Sequence, residues 1–95
     1  MPIANLVGLN RLARKFNVVT NEGVFEVIYN GTGFGYEEII VNDETVCRTT
    51  SYKWFIPEFE FLIGNTHAKI EVGVSIWLKI SRFNLIISGV SVYSE

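Results

Sequence analysis

Covalent catalysis needs a nucleophile, a base beside it and a group that orients the base. This chain offers one candidate for each part: Cys47, His67 and Asp43, its single cysteine, histidine and aspartate. Each also has a plain structural role. Cys47 lies between Val46 and Arg48 in a strand-like run, where a small buried thiol is the usual occupant. Asp43 follows Asn42 at a turn, where a short carboxylate bonds local backbone. His67 follows Asn65-Thr66 at the start of an alternating stretch. Nothing in the spacing gathers the three, so the expectation is no catalytic residue and no enzyme.

Other chemistry is weaker still. One histidine does not supply the imidazoles of most zinc sites, and no acidic loop with calcium-ligand spacing occurs, so no metal or cofactor is expected. Glu58 and Glu60 share one strand face, with Phe59 and Phe61 on the other; the carboxylates read as solvated. Glu37 and Glu38 are adjacent and point to opposite sides, so one of them is expected to be buried or paired with a base such as Arg48. Gly31, Gly33 and Gly35 lack the spacing and the following helix of a dinucleotide fingerprint. They read as a glycine-rich hairpin loop.

The elements that carry these residues are strands. From Ile70 to Ile80 the even positions are apolar: Ile70, Val72, Val74, Ile76, Leu78 and Ile80. A period of two marks a strand with one buried face. After Arg82 the phase moves to Phe83, Leu85 and Ile87, so the stretch breaks near Gly73–Ser75 or resets at Ser81–Arg82. Further runs at 16–20, 24–29, 36–41, 45–51 and 58–63 are punctuated by Asn21-Glu22-Gly23, Asn30-Gly31, Asn42-Asp43-Glu44 and Gly64-Asn65. Asn-Gly is a strong hairpin turn, because both residues accept positive φ. Ile39–Val46 and Leu85–Val92 share one pattern: three apolar residues, a two-residue turn, two more residues and a valine. They read as matching hairpins.

This spacing predicts an all-β protein, an antiparallel β-sandwich of seven to nine short strands. Residues 1–16 read differently. Ile3, Leu6, Val7, Leu9, Leu12, Ala13 and Phe16 recur at three- and four-residue steps, with Pro2 in the first turn and basic residues near the end. A short N-terminal helix or arm over 1–16 and a sandwich domain over 17–95 are therefore expected, although Gly8 costs such a helix roughly 1 kcal/mol.

The order of pieces resembles that of the Fas apoptotic inhibitory molecule family, over about residues 24–93. The residues that carry the likeness are Ile39–Val46, Glu58–Gly64, Thr66–Val72 and Phe83–Tyr93, with turns at Asn42-Asp43, Ile63-Gly64 and Ser88-Gly89. Neither hairpin has the full Asp-Gly or Asn-Gly of the family pattern. The resemblance implies an antiparallel β-sandwich that acts by protein contact, with no catalytic residues to carry over. It does not fix a function.

Bulk properties agree with a contact module. Ninety-five residues suit one domain, 48% of them are apolar, and the net charge is −2. Three bases within residues 1–17 are too few for a nucleic-acid footprint, so none is expected. With a single cysteine and no secretory leader pattern, a cytoplasmic location is the expectation, and no run is long and apolar enough for an integral membrane segment. Aromatic residues anchor interfaces, which makes Tyr52, Trp54 and Phe55, beside Pro57, and Trp77 on the odd face of the long stretch the protein-binding candidates. The expected partner is a protein or a second copy, in a homo-oligomer. Alternatives are a barrel whose face from Ile70 to Ile80 lines a cavity for a small apolar ligand or lipid, and, more remotely, an enzyme built on Cys47 and His67.

Overall fold

In the computed structural model, which describes residues 2–31, 36–50 and 58–95 (49 and 50 by backbone alone), regular structure is entirely β. Nine strands follow one another: β1 Ile3–Leu9, β2 Ala13–Thr20, β3 Gly23–Gly31, β4 Tyr36–Val41, β5 Glu44–Thr50, β6 Glu58–Ile63, β7 Thr66–Val74, β8 Ile80–Ile87 and β9 Val90–Ser94. They pair in sequence order as two antiparallel meanders, β1-β2-β3-β4-β5 and β6-β7-β8-β9. The sheets stack face to face, with β5 near β6 at one corner and β1 near β9 at the other.

The core forms where the two inner faces meet. Phe16, Val18, Val27, Tyr29 and Ile39 come from the first sheet; Phe61, Ile63, Ile70, Phe83, Leu85 and Ile87 come from the second. Rings bind the layers together. Phe83 of β8 lies 5.7 Å from Phe16 of β2 and 5.6 Å from Tyr29 of β3, and Tyr93 of β9 meets Phe16 edge-on at 4.9 Å. Offset and edge contacts of this kind add about 0.5–1.5 kcal/mol each beyond area burial.

The helix or arm expected at the N-terminus is not found; Ile3–Leu9 and Ala13–Thr20 are strands of the first sheet. Ala4 and Leu6 face inward while Ile3 and Val7 face out. A strand apolar on both sides reproduces three- and four-residue steps, and this is what misleads the periodicity. A register shift between Leu6 and Gly8 compounds it. The turn is marked by Asn10, whose Oδ1 accepts from Leu12 N at 2.9 Å, the local bonding that makes Asn a turn residue.

A second correction concerns Asn30-Gly31. These residues stay within β3, paired with Glu38 and Glu37; the rest of the expected loop, 32–35, lies outside the described residues. The two matching hairpins, in contrast, are alike in detail. Asn42 and Asp43 have φ of 50° and 67°, and Ser88 and Gly89 have 51° and 78°, the paired positive angles of a tight hairpin turn. In each, the register then slips, leaving Val46 and Val92 as the extra residues. The long alternating stretch breaks after Val74. Ile70, Val72 and Ile80 are in the core and Val74 packs against it, whereas Ile76 and Leu78, expected on the same inner face, are at a turn.

Candidate functional site

Because consecutive turns of a meander alternate between its ends, the molecule has two chemically distinct ends. One carries the β1–β2 turn and the β7–β8 turn. Arg11 holds these two together: its carbonyl accepts from Ile80 N at 2.7 Å, and its guanidinium donates to the Trp77 carbonyl. Gly31 N, at the end of β3, donates to Leu12 O at 2.8 Å. The β7–β8 turn closes on itself through Ser75 N to Lys79 O, 2.9 Å, and Leu78 N to Ser75 O, 3.0 Å.

On this braced turn stand three apolar side chains facing water: Ile76 at 81% exposure, Trp77 at 70% and Leu78 at 38%. Leu78 has φ of 55°, a left-handed conformation that costs a bulky residue roughly 1–2 kcal/mol. A groove of about 470 Å³ runs beside the turn, lined by Asn10, Arg11, Leu12, Gly31, Trp77 and Leu78. The tip is therefore apolar, fixed in shape and open to a partner.

Charge sharpens the picture. Arg14 pairs with Glu95, Lys15 with Glu26, Arg48 with Glu38, and Lys69 with Glu58 and Glu71. Arg11, Lys79 and Arg82 have no carboxylate within ion-pair distance among the described residues; Arg11 and Lys79 flank the Trp77 tip, and Arg82 lies at the same end on β8, opposite Gly73. Glu95 lies at this end too, but its carboxylate is engaged by Arg14 at 2.6 and 2.9 Å and by Tyr93. The Arg14 hydrogen bonds hold Glu95 below its usual carboxylate range.

The candidate nucleophile and its companions stand elsewhere. Cys47 Sγ is 3.5 Å from the Glu60 carbonyl across the β5–β6 corner, and burial pushes the thiol's pKa up, opposite to what a reactive cysteine needs. His67 is exposed on β7, with Nε2 3.8 Å from Glu60 Oε1. Asp43 sits at the β4–β5 turn. Among the described residues no three metal-ligating side chains converge, and no helix is long and apolar enough to cross a membrane.

Of the interface candidates, Trp77 stands exposed on a hairpin tip; the odd face of a continuous strand is not its setting. Tyr52, Trp54 and Phe55 lie outside the described residues. Glu37 and Glu38 divide as expected: Glu37 is fully buried and accepts a hydrogen bond from Tyr29, while Glu38 faces out, 3.7 Å from Arg48. Ile76 and Leu78 were masked by the alternation and read as core. Ser75 was the available signal, a short polar residue able to bond the turn backbone, as its hydroxyl does with Trp77 N at 3.3 Å.

Fold and site together define a nine-stranded antiparallel sandwich, counting described strands, with an apolar hairpin at one end. Compared with protein-family models, with curated proteins and with solved structures, the chain gives no match.

Proposed function

We propose that this protein is a non-enzymatic β-sandwich module that works by protein–protein contact, and that the Trp77 end is its contact surface. The observation that carries the reading is the Ile76–Trp77–Leu78 tip, exposed and braced by Arg11 before any partner arrives. Interfaces draw most of their energy from a few buried anchors, Trp and Arg foremost, and a preformed anchor loses little entropy on docking. The resemblance to the Fas apoptotic inhibitory molecule family supports the same reading, since it implies a sandwich acting by contact. Its signalling role is not carried over.

The test is site-directed photo-crosslinking in cells expressing the chain. A photoreactive residue at position 79, beside the tip, is expected to give protein adducts that disappear when Trp77→Ala is added. The same residue at position 69, on the outer face of the second sheet, is the control. Equal labelling from both positions, or adducts that survive Trp77→Ala, would rule out the tip as the contact surface.

A further inference from the structure

The end opposite Trp77 has complementary chemistry. It carries the β2–β3, β4–β5 and β6–β7 turns; Glu22 ties the first to the last, its carboxylate accepting from Asn65 N at 3.0 Å and from Thr66 Oγ1 at 2.9 Å, and Asn42 of the β4–β5 turn bonds Glu26 of β3. Where β5 meets β6, a concavity of about 330 Å³ is lined by the apolar Phe25, Val41, Val46 and Leu62 together with Asn42, Glu44 and Gly64. That volume is at the small end of sites that enclose an organic group, about 300–1,000 Å³. Leu62 and Val46 are exposed although both are large and apolar.

Around this socket the charge is reversed. Glu22, Asp43 and Glu44 have no cation within ion-pair distance among the described residues. The pairs made by Lys15, Arg48 and Lys69 lie along the strands, and Arg14 neutralises Glu95. Three uncompensated cations thus share the end that carries an apolar knob, and three uncompensated carboxylates surround or adjoin an apolar socket. The molecule measures 38 × 23 × 22 Å. Nine-residue strands at about 3.3 Å per residue span roughly 30 Å, so the long axis follows the strands and the two surfaces are at its opposite ends.

We propose that the chain assembles head to tail, with the Ile76–Trp77–Leu78 hairpin of one copy seated in the Phe25–Val41–Val46–Leu62 socket of the next. The step rests on the protein-contact reading and names the partner as a second copy. Arg11, Lys79 and Arg82 of one copy then face Glu22, Asp43 and Glu44 of the next, and complementary potentials fix the orientation. Knob and socket are different surfaces, so each copy offers one of each. A heterologous contact of this kind does not close as a two-fold dimer; with its halves at opposite ends of a rod it extends as an open chain.

The test uses the chain itself, by sedimentation velocity over a wide concentration range. The wild-type protein is expected to grow in mass without a plateau at the dimer, and to dissociate as salt is raised. Two variants each remove one half of the contact: Trp77→Ala removes the knob, and Leu62→Lys with Glu44→Lys removes the socket. All three positions are exposed, so the fold is expected to survive, and circular dichroism confirms it. Each variant alone is expected to be monomeric, while their mixture forms a one-to-one heterodimer that grows no further. A socket variant that still dimerises, through tip-to-tip contact, overturns head-to-tail assembly while leaving protein contact standing. A wild-type chain monomeric at every concentration also overturns it, and the crosslinking experiment then decides separately whether another protein takes the tip. Binding of the monomer to anionic phosphatidylserine vesicles, read as a blue shift of Trp77 emission absent in Trp77→Ala, would make a lipid surface the occupant and overturn both.

Discussion

Trp77→Ala separates stability from contact, because the two depend on different parts of the indole's surroundings. The side chain is 70% exposed, and the described bonds of residue 77 are made by its backbone: the carbonyl to Arg11 and the amide to Ser75 Oγ. Truncation at Cβ leaves both in place. The expected change in unfolding free energy is therefore within about 0.5 kcal/mol, as for other surface substitutions. Docking is another matter. A Trp side chain buries about 150–250 Å², and 70% of that leaves roughly 100–175 Å² to be covered by a partner. At about 25 cal/mol per Å² this is roughly 2.5–4.5 kcal/mol, or an affinity loss between about sixty- and sixteen-hundred-fold. Urea denaturation gives the first quantity and sedimentation the second. A loss of more than about 1 kcal/mol in stability with association unchanged would show Trp77 to be packing and would refute the reasoning.

Three other substitutions test the frame around the site. Glu95→Gln is expected to cost about 1–3 kcal/mol at neutral pH, because it removes a charged partner from the buried Arg14 guanidinium; thermal melts measure it. Since Glu95 has a folded-state pKa below the ordinary 4.5, the stabilisation is complete above that pH and is lost as pH falls through the folded value. The wild-type advantage over Glu95→Gln should therefore narrow only below about pH 4.5, and an advantage that instead fades between pH 6 and 8 would contradict the assignment. Tyr29→Phe removes a hydrogen-bond donor from the fully buried Glu37 and is expected to cost about 1–3 kcal/mol in urea unfolding; an unchanged midpoint would mean that bond contributes nothing. Leu78→Gly relieves a left-handed backbone worth about 1–2 kcal/mol but loosens the unfolded chain by about 0.4–1 kcal/mol. A net gain of roughly 0–1.6 kcal/mol together with weaker association is expected, and a clear loss of stability would show that the leucine side chain, more than its backbone, sets the turn.

Much of the fold is legible in the residues, and the failures have physical causes. Alternation gives the strands from β3 onward, because one face of each meets the core. Asn42-Asp43 and Ser88-Gly89 are visible as twin turns because few residues accept two successive positive φ angles; the valine that closes each pattern is the extra residue of a bulge, a role that periodicity alone does not reveal. Alternation fails at two places. In β1 the outer face is as apolar as the inner, so period two and period 3.6 fit equally well. At Ile76 and Leu78 the apolar phase continues through a turn, and residues in register with the core leave it. The candidate site was half visible: Trp77 stood out, while its apolar neighbours were hidden by their agreement with the strand pattern. The role of Arg11 depends on a contact 66 residues away and has no local signal.

That mislabelled alternation carries information about the site. A hairpin turn between two core strands normally takes polar residues, because a turn exposes its side chains and burial of its backbone is costly. The β7–β8 turn instead spends Ile, Trp and Leu on water, with one of them in a strained conformation, and braces the arrangement from another turn through Arg11. Neither core packing nor turn chemistry accounts for that choice. A meander also sorts its turns by parity, so charges placed on the β1–β2 and β7–β8 turns gather at one end, while those on the β2–β3 and β4–β5 turns gather at the other. Arg11 and Lys79 fall in the first group and Glu22 and Asp43 in the second. With a net charge of only −2, the molecule owes its polarity to this sorting, and an apolar surface at each end with opposite charge around it is what directional contact requires.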